Sequence, residues 1–242
     1  IERDVVSVTA DTSQNARFSL VCTGAFGELG ADPSRPTASI PGGTSNVLIT
    51  GTPLEERTLE REQPDGSAPT VLDGSANDSL AAAEMQQVKN TTLQGFSASS
   101  CAEPVHEQWL VGGATTLGVS STLVLGNPFE VPATVLITVY DENGEVDSAS
   151  TAGVLVPAGS QRIVSLNGYA PAREALAVRV ESTGAAVTAA LGVSQTIDIN
   201  SFAVDTATRQ LTPQPSLVIP GVANFSSDEH VSDGAAPDAD GF

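Results

Sequence analysis

The sequence predicts an all-β chain, two immunoglobulin-like antiparallel β-sandwich modules with one short helix, and three observations carry that prediction. Hydrophobic residues make up 40% of the 242 positions while aromatics are only 4%, and 22 Gly with 15 Pro give a turn density that suits short strands better than helical bundles. Apolar residues between about 107 and 195 recur with period two, the spacing that sends alternate side chains to one sheet face. Turn formers separate those runs at short intervals.

Residues 1–100 read as an N-terminal β-rich domain. Strands are expected over Asp4–Thr9, Ala16–Cys22, Asn46–Thr50 and Thr91–Ala98. The charged run from Glu55 to Gly66 alternates in sign, which supports either a helical turn or a solvated loop, and the loop is favoured. The one helix is expected over 79–89. Asp78 or Ser79 caps its start, Leu80-Ala81-Ala82-Ala83-Glu84-Met85 has high helix propensity, and Leu80, Ala83 and Val88 share a face.

Residues 101–195 read as an immunoglobulin-like β-sandwich. Alternation is clear at Leu123 and Leu125, at Val135, Ile137 and Val139, at Val154 and Val156, at Leu176, Val178 and Val180, and at Val187, Ala189, Leu191 and Val193. A further strand runs through either Ile163 and Ser165 or Val164 and Leu166. Asp141-Glu142-Asn143-Gly144 is expected to turn as a type I′ hairpin through Asn-Gly, with further breaks at Asn127-Pro128 and Pro157-Ala158-Gly159. Arg179 and Glu181 fall on the outward face. Roughly seven short strands in under about 90 residues fit a sandwich of this class. Two more strands, over 197–204 and 216–220, are placed so that they could complete the first sheet system. Residues 221–242 are acidic, lack periodic apolar positions, and read as a disordered tail or a linker.

Charge narrows the function classes. With 29 acids against 10 bases the net charge is −19, and Lys89 is the single lysine. Nucleic acid and anionic membrane surfaces, which need clustered Lys and Arg, are unfavourable partners. No apolar run approaches the roughly 20 residues that span a bilayer. The first residue is Ile1, so the chain reads as a mature or excised fragment, anchored, if at all, through a segment outside it. Cys22 and Cys101 stand apart, flanked by turn formers rather than in a CxxC motif. They are either two thiols or one long-range disulfide, and the disulfide is favoured.

No catalytic, cofactor-binding or metal-ligating set is expected. Only His106 and His230 could serve as imidazole bases, the latter in the acidic tail, and no GxSxG elbow is present. Gly112-Gly113 to Gly118 lacks the lysine of a phosphate loop and reads as a turn. Asp141 to Asp147 places oxygens at alternate positions, as calcium loops do, without the twelve-residue EF-hand pattern. Trp109 is the candidate interaction residue. It alternates with Val111 and is either a core or interdomain anchor or a half-exposed ring that stacks on a sugar or partner.

The run Cys101-Ala102-Glu103-Pro104, Trp109-Leu110-Val111-Gly112-Gly113, Leu123-Val124-Leu125-Gly126-Asn127-Pro128, Asp141-Glu142-Asn143-Gly144 and Ala175-Leu176-Ala177-Val178-Arg179-Val180 resembles an actinobacterial family of secreted or membrane-anchored proteins of unknown function. The likeness covers roughly residues 101 to 195, and before that only Cys22-Thr23-Gly24, where the family commonly shows Cys-Pro. It implies an extracytoplasmic location and association with cell-envelope genes, often near glycosyltransferases, and transfers no catalytic residue. The expected function is therefore a non-catalytic envelope protein that binds a partner protein or cell-wall glycan. The alternative is a calcium-dependent carbohydrate binder or glycan-acting enzyme using acidic loops.

Overall fold

The computed structural model describes residues 17–29, 39–41, 43–61, 67–75, 79–89, 93–146, 153–197, 200–210 and 216. Its elements run β1 Arg17–Val21, β2 Gly27–Leu29, β3 Ser39–Pro41, β4 Gly43–Thr50, β5 Glu55–Thr58, β6 Thr70–Ser75, β7 Ala81–Lys89, β8 Gln94–Ser100, β9 Glu107–Val111, β10 Val119–Asn127, β11 Ala133–Asp141, β12 Gly144–Glu145, β13 Val154–Val156, β14 Ser160–Ser165, α1 Leu166–Tyr169, β15 Ala177–Gly184, β16 Thr188–Ile197, β17 Asn200–Ala207 and β18 Arg209–Gln210. Among the described residues every strand ladder is antiparallel, and the fold is mostly β as the composition predicts.

Two sheets enclose the main core. One runs β14-β10-β16-β17 and the other β12-β11-β15-β9-β18, with β13 also on β11. From β11 the residues Val135, Ile137 and Val139 point inward, and Val178 and Val180 of β15 join them. Leu123 and Leu125 of β10 and Leu191 of β16 meet them from the opposite sheet. Period two dictates this: an antiparallel strand with one wet face must place apolar residues at every second position. Each such side chain contributes about 1.5 to 3 kcal/mol relative to exposure, which explains why these strands form where the alternation is cleanest.

Turn chemistry closes the strands. Asn127 is fully buried and acts as a hub: its Nδ2 donates to the carbonyls of Val131 at 2.8 Å, Pro157 at 3.1 Å and Val156 at 3.2 Å, while its Oδ1 accepts from the Phe129 N–H at 3.0 Å. An Asn127→Ala variant strands these groups away from water, and a loss of about 2 kcal/mol is expected in urea unfolding. The type I′ expectation at Asp141–Gly144 is corrected. Asp141 pairs with Gly144, and Gly144 alone carries a positive φ, +123°, with the Asn143 N–H bonded to Asp141 Oδ1 at 2.7 Å.

The expected helix over 79–89 is instead a strand. β7 is the central strand between β4 and β8, and its buried residues are Glu84, Gln86 and Val88, spaced by two. Alanine favours helix by only tenths of a kcal/mol per residue, so two ladders and a buried face override it. The short helix is α1, and it begins at Leu166, which one of the two expected strand alternatives includes. Part of the charged run, expected as a loop, is β5, which pairs with β6, and Leu59 behind it is 2% exposed. The strand expected over 197–204 is mostly β17, and it extends the sandwich by pairing with β16. The strand expected over 4–9 and the acidic tail over 221–242 lie outside the described residues, as does that over 216–220 apart from Ser216.

Residues 1–212 form one compact unit, and 213–242 a second of which only Ser216 is described. Within the first, a Cys22–Cys101 disulfide joins β1 to the end of β8, and Val21 and Ala102 exchange backbone bonds at 2.9 and 3.0 Å beside it. Glu60 forms a parallel bridge to Ser160 at the edge of the sandwich.

Candidate functional site

Trp109 lies on the outward face of β9, between exposed Glu107 and Val111, while its neighbours Gln108 and Leu110 are the buried ones. The ring therefore lies outside the sandwich core. Register brings it beside Arg179 on β15, and Arg179 in turn beside Thr138 on β11. The indole is half-buried, tilted at 33° against the Tyr140 ring with centroids 5.4 Å apart, and the Arg179 guanidinium lies 5.8 Å from its centroid. These separations suit an aromatic pair and a cation over an indole face.

Two carboxylates fix the arginine. Arg179 Nε donates to Glu107 Oε1 at 2.9 Å, and its Nη2 lies 2.9 Å from both Glu107 Oε1 and Glu181 Oε1. The hydrogen bond to Glu107, with the charges of Glu181 and Glu107 itself, holds the guanidinium above its ordinary pKa. Leu136 and Leu155, 42% and 55% exposed, continue the face along β11 and β13, and Val111 flanks it at 59%. The result is an open aromatic platform fringed by charge and by apolar side chains. It offers a stacking face and hydrogen-bonding groups.

Other candidates take structural roles. Asp141, the first carboxylate of the possible calcium loop, receives Arg173 Nη1 at 2.9 Å with its side chain 5% exposed, and Glu142 Oε2 accepts the Glu174 N–H at 3.3 Å. Asp147 is outside the described residues. Among the described residues no group of three or more His, Cys, Asp and Glu could hold a metal. His106 is exposed, with Nδ1 at 3.2 Å from the Ser182 carbonyl. Gly112, Gly113 and Gly118 all have positive φ and form the turn between β9 and β10. Among the described residues no helix is long and apolar enough to cross a membrane.

Two features escaped the sequence reading. An open cleft of about 580 Å³ runs between Phe18 and Phe129, with Arg17, Arg57, Glu103 and Glu130 along it, and Arg57 is tied to Asp73 at 3.0 Å. The second is a buried polar cluster around Glu84, 1% exposed. Its Oε2 accepts from Thr23 N at 2.8 Å and Thr23 Oγ1 at 2.6 Å, and its Oε1 accepts from Gly24 N at 2.8 Å and from Ser45 Oγ. Arg61 closes the same loop from the other side, donating to the Ala25 carbonyl at 2.7 Å, the Thr23 carbonyl at 3.1 Å and Gln161 Oε1 at 2.8 Å. Burial pushes the Arg61 pKa down, and the Glu84 charge opposes that shift.

The model of a family of unknown function, DUF5719, matches residues 61–239. The chain belongs to this family. No curated protein and no solved structure matches it. The DUF5719 match takes in Trp109, Tyr140 and Arg179, together with Arg61, Glu84 and Cys101, while Cys22 and Thr23 precede it. Alternation puts Trp109 on one face with Glu107 and Val111, opposite Gln108 and Leu110, and burial of the latter pair makes the Trp109 face the outward one. Tyr140 and Arg179 could be joined to it only through strand order, which no spacing in one strand encodes.

Proposed function

We propose that this DUF5719 chain is a non-catalytic protein of the cell envelope, acting outside the cytoplasm, that binds a cell-wall glycan on the outer face of the β11-β15-β9 sheet. The observation that supports it is the half-buried Trp109 ring held at 33° to Tyr140 beneath Arg179, on an open face. An indole fixed on two sides by neighbours has little side-chain freedom left to lose, and its apolar face suits the C–H face of a pyranose. Arg179 is held by Glu107 and Glu181, so the charged groups are positioned to accept and donate at the rim rather than to transfer protons. The disulfide fits an oxidising compartment.

Exposed Val111, Leu136 and Leu155 on the same face favour a second reading, a partner protein docking there. Trp109 is the single tryptophan, so its fluorescence reports this face alone. Titration with soluble cell-wall glycan fragments is expected to shift the emission saturably, and Trp109→Ala to weaken binding by about 2 kcal/mol, roughly thirtyfold in Kd. No spectral change with glycans, but recovery of an envelope protein by a photocrosslinker at Val111, would replace the first reading by the second. A melting temperature that rises with calcium, and glycan binding lost in EDTA, would instead support the calcium-dependent alternative.

A further inference from the structure

The β4-β7-β8 sheet presents one face to the interior and one to solvent, and the solvent face is unlike the rest of the molecule. Its inward side carries Glu84, Gln86, Val88 and Ser97, all buried. Its outward side is built in cross-strand rows, Leu48 beside Ala83, Asn46 beside Met85 and Ala98, and Gln87 beside Phe96. Leu48 is 56% exposed and Phe96 62%. The remaining outward positions are Thr, Ala, Gln, Ser and Lys89. Glu84 is the one acid in these three strands and it points inward, so no carboxylate reaches this face from them.

That is unexpected for a chain of charge −19. The other sheets of three or more strands all expose acids: Glu55 and Glu56 on β5, Asp205 on β17, and Glu107 on β9. The single lysine of the chain, Lys89, stands on this face. Two copies of a strongly acidic chain repel wherever carboxylate meets carboxylate. This face is where they approach without that penalty, and its exposed Leu48 and Phe96, with the partly buried Met85 between them, supply apolar area to cover.

We propose that the outward face of β4-β7-β8 is a self-association surface, on which a second copy of this chain docks through the same face about a two-fold axis. The proposal is independent of the glycan reading, which concerns a different sheet. An isologous contact suits it, because these strands bring no carboxylate to the face and a single charge, Lys89, at the end of β7. With about a dozen exposed side chains against the usual 20 to 30 per partner, the dimer is a weak one, with Kd on the order of 10 to 100 μM. Its affinity rises with ionic strength, because salt screens the repulsion between the acidic remainders.

Sedimentation velocity of the full chain tests this. A concentration-dependent dimer is expected that strengthens severalfold between low and high salt, and that Phe96→Glu or Leu48→Glu weakens at least tenfold while Leu155→Glu on the other sheet leaves it unchanged. Ala98→Cys supplies a check that does not perturb the packing: both native cysteines are paired, so a short bis-maleimide is expected to link two copies through residue 98. A chain that stays monomeric up to ~1 mM, well above the expected Kd, overturns the proposal. So does a dimer that survives both Glu variants or fails to crosslink through Ala98→Cys.

Discussion

Replacing Glu84 by Ala is expected to lower the unfolding free energy by about 3 to 5 kcal/mol, comparable to breaking a buried charge pair. The carboxylate is 1% exposed and accepts from two backbone N–H groups and two hydroxyls, those of Thr23, Gly24 and Ser45. Removing it leaves those donors without acceptors in a place water does not reach, and leaves Arg61 without the charge that opposes its desolvation. A Glu84→Gln variant keeps the volume and one acceptor oxygen but turns the other into a donor facing donors, so it is expected to lose nearly as much as Glu84→Ala. Guanidinium unfolding followed by far-ultraviolet circular dichroism reads both. Domains of this kind have about 5 to 15 kcal/mol in total, so a single carboxylate controls a large share. A loss below about 1 kcal/mol for Glu84→Ala would show that the loop satisfies its own donors.

The reason lies in backbone geometry after Cys22. Gly24 has φ +75°, and a Cβ there would sit 2.7 Å from Pro69 N and 2.8 Å from the Ser67 carbonyl oxygen. The chain therefore passes through a space that only glycine fits, in a conformation that leaves consecutive N–H groups pointing the same way. Glu84 receives them. Gln161 of β14 donates to the Thr23 carbonyl at 2.8 Å, and Arg61 bonds both Gln161 and that carbonyl. A polar cluster thus ties the first strands to the sandwich edge, where an apolar contact alone would leave the loop's carbonyls unpaired.

How much of this is legible in the sequence depends on the range of the interaction. Val135, Ile137 and Val139 announce their strand because the signal is local, and the strands of 107–195 were found by alternation. Ala81-Ala82-Ala83-Glu84-Met85 misled for the same reason: local propensity says helix, and the deciding facts, ladders to β4 and β8, lie more than 30 residues away on one side. The alternation Glu84, Gln86, Val88 was legible, yet two of those three are polar, and a rule that sends apolar residues inward does not recognise buried polar ones. Trp109 stands out in the sequence as the single tryptophan, but its partners Tyr140 and Arg179 are fixed by the order β11-β15-β9. The acidity of the chain gave no hint of the carboxylate-free face, because the sorting of charge between faces depends on register rather than composition.

Removing the disulfide, as Cys22→Ala with Cys101→Ala, is expected to lower stability by about 4 to 5 kcal/mol, from the entropy of closing a long loop in the unfolded chain. The bond spans 79 residues and lies in a cluster with Leu20 and Leu72, so alanine leaves the site apolar. Because the unfolded state becomes more extended, the denaturant slope m is expected to rise as the free energy falls, which separates this variant from Glu84→Ala, whose m should not change. The two predictions are coupled. Cys22 opens the loop whose next two residues Glu84 binds, so a chain lacking the bond lets Thr23 and Gly24 move toward water when the carboxylate is absent. The triple variant is therefore expected to lose less than the sum of the two, by about 1 kcal/mol in the double-mutant cycle. Strict additivity would mean that the disulfide acts on the unfolded chain alone, and that Glu84 by itself holds the loop in its folded position.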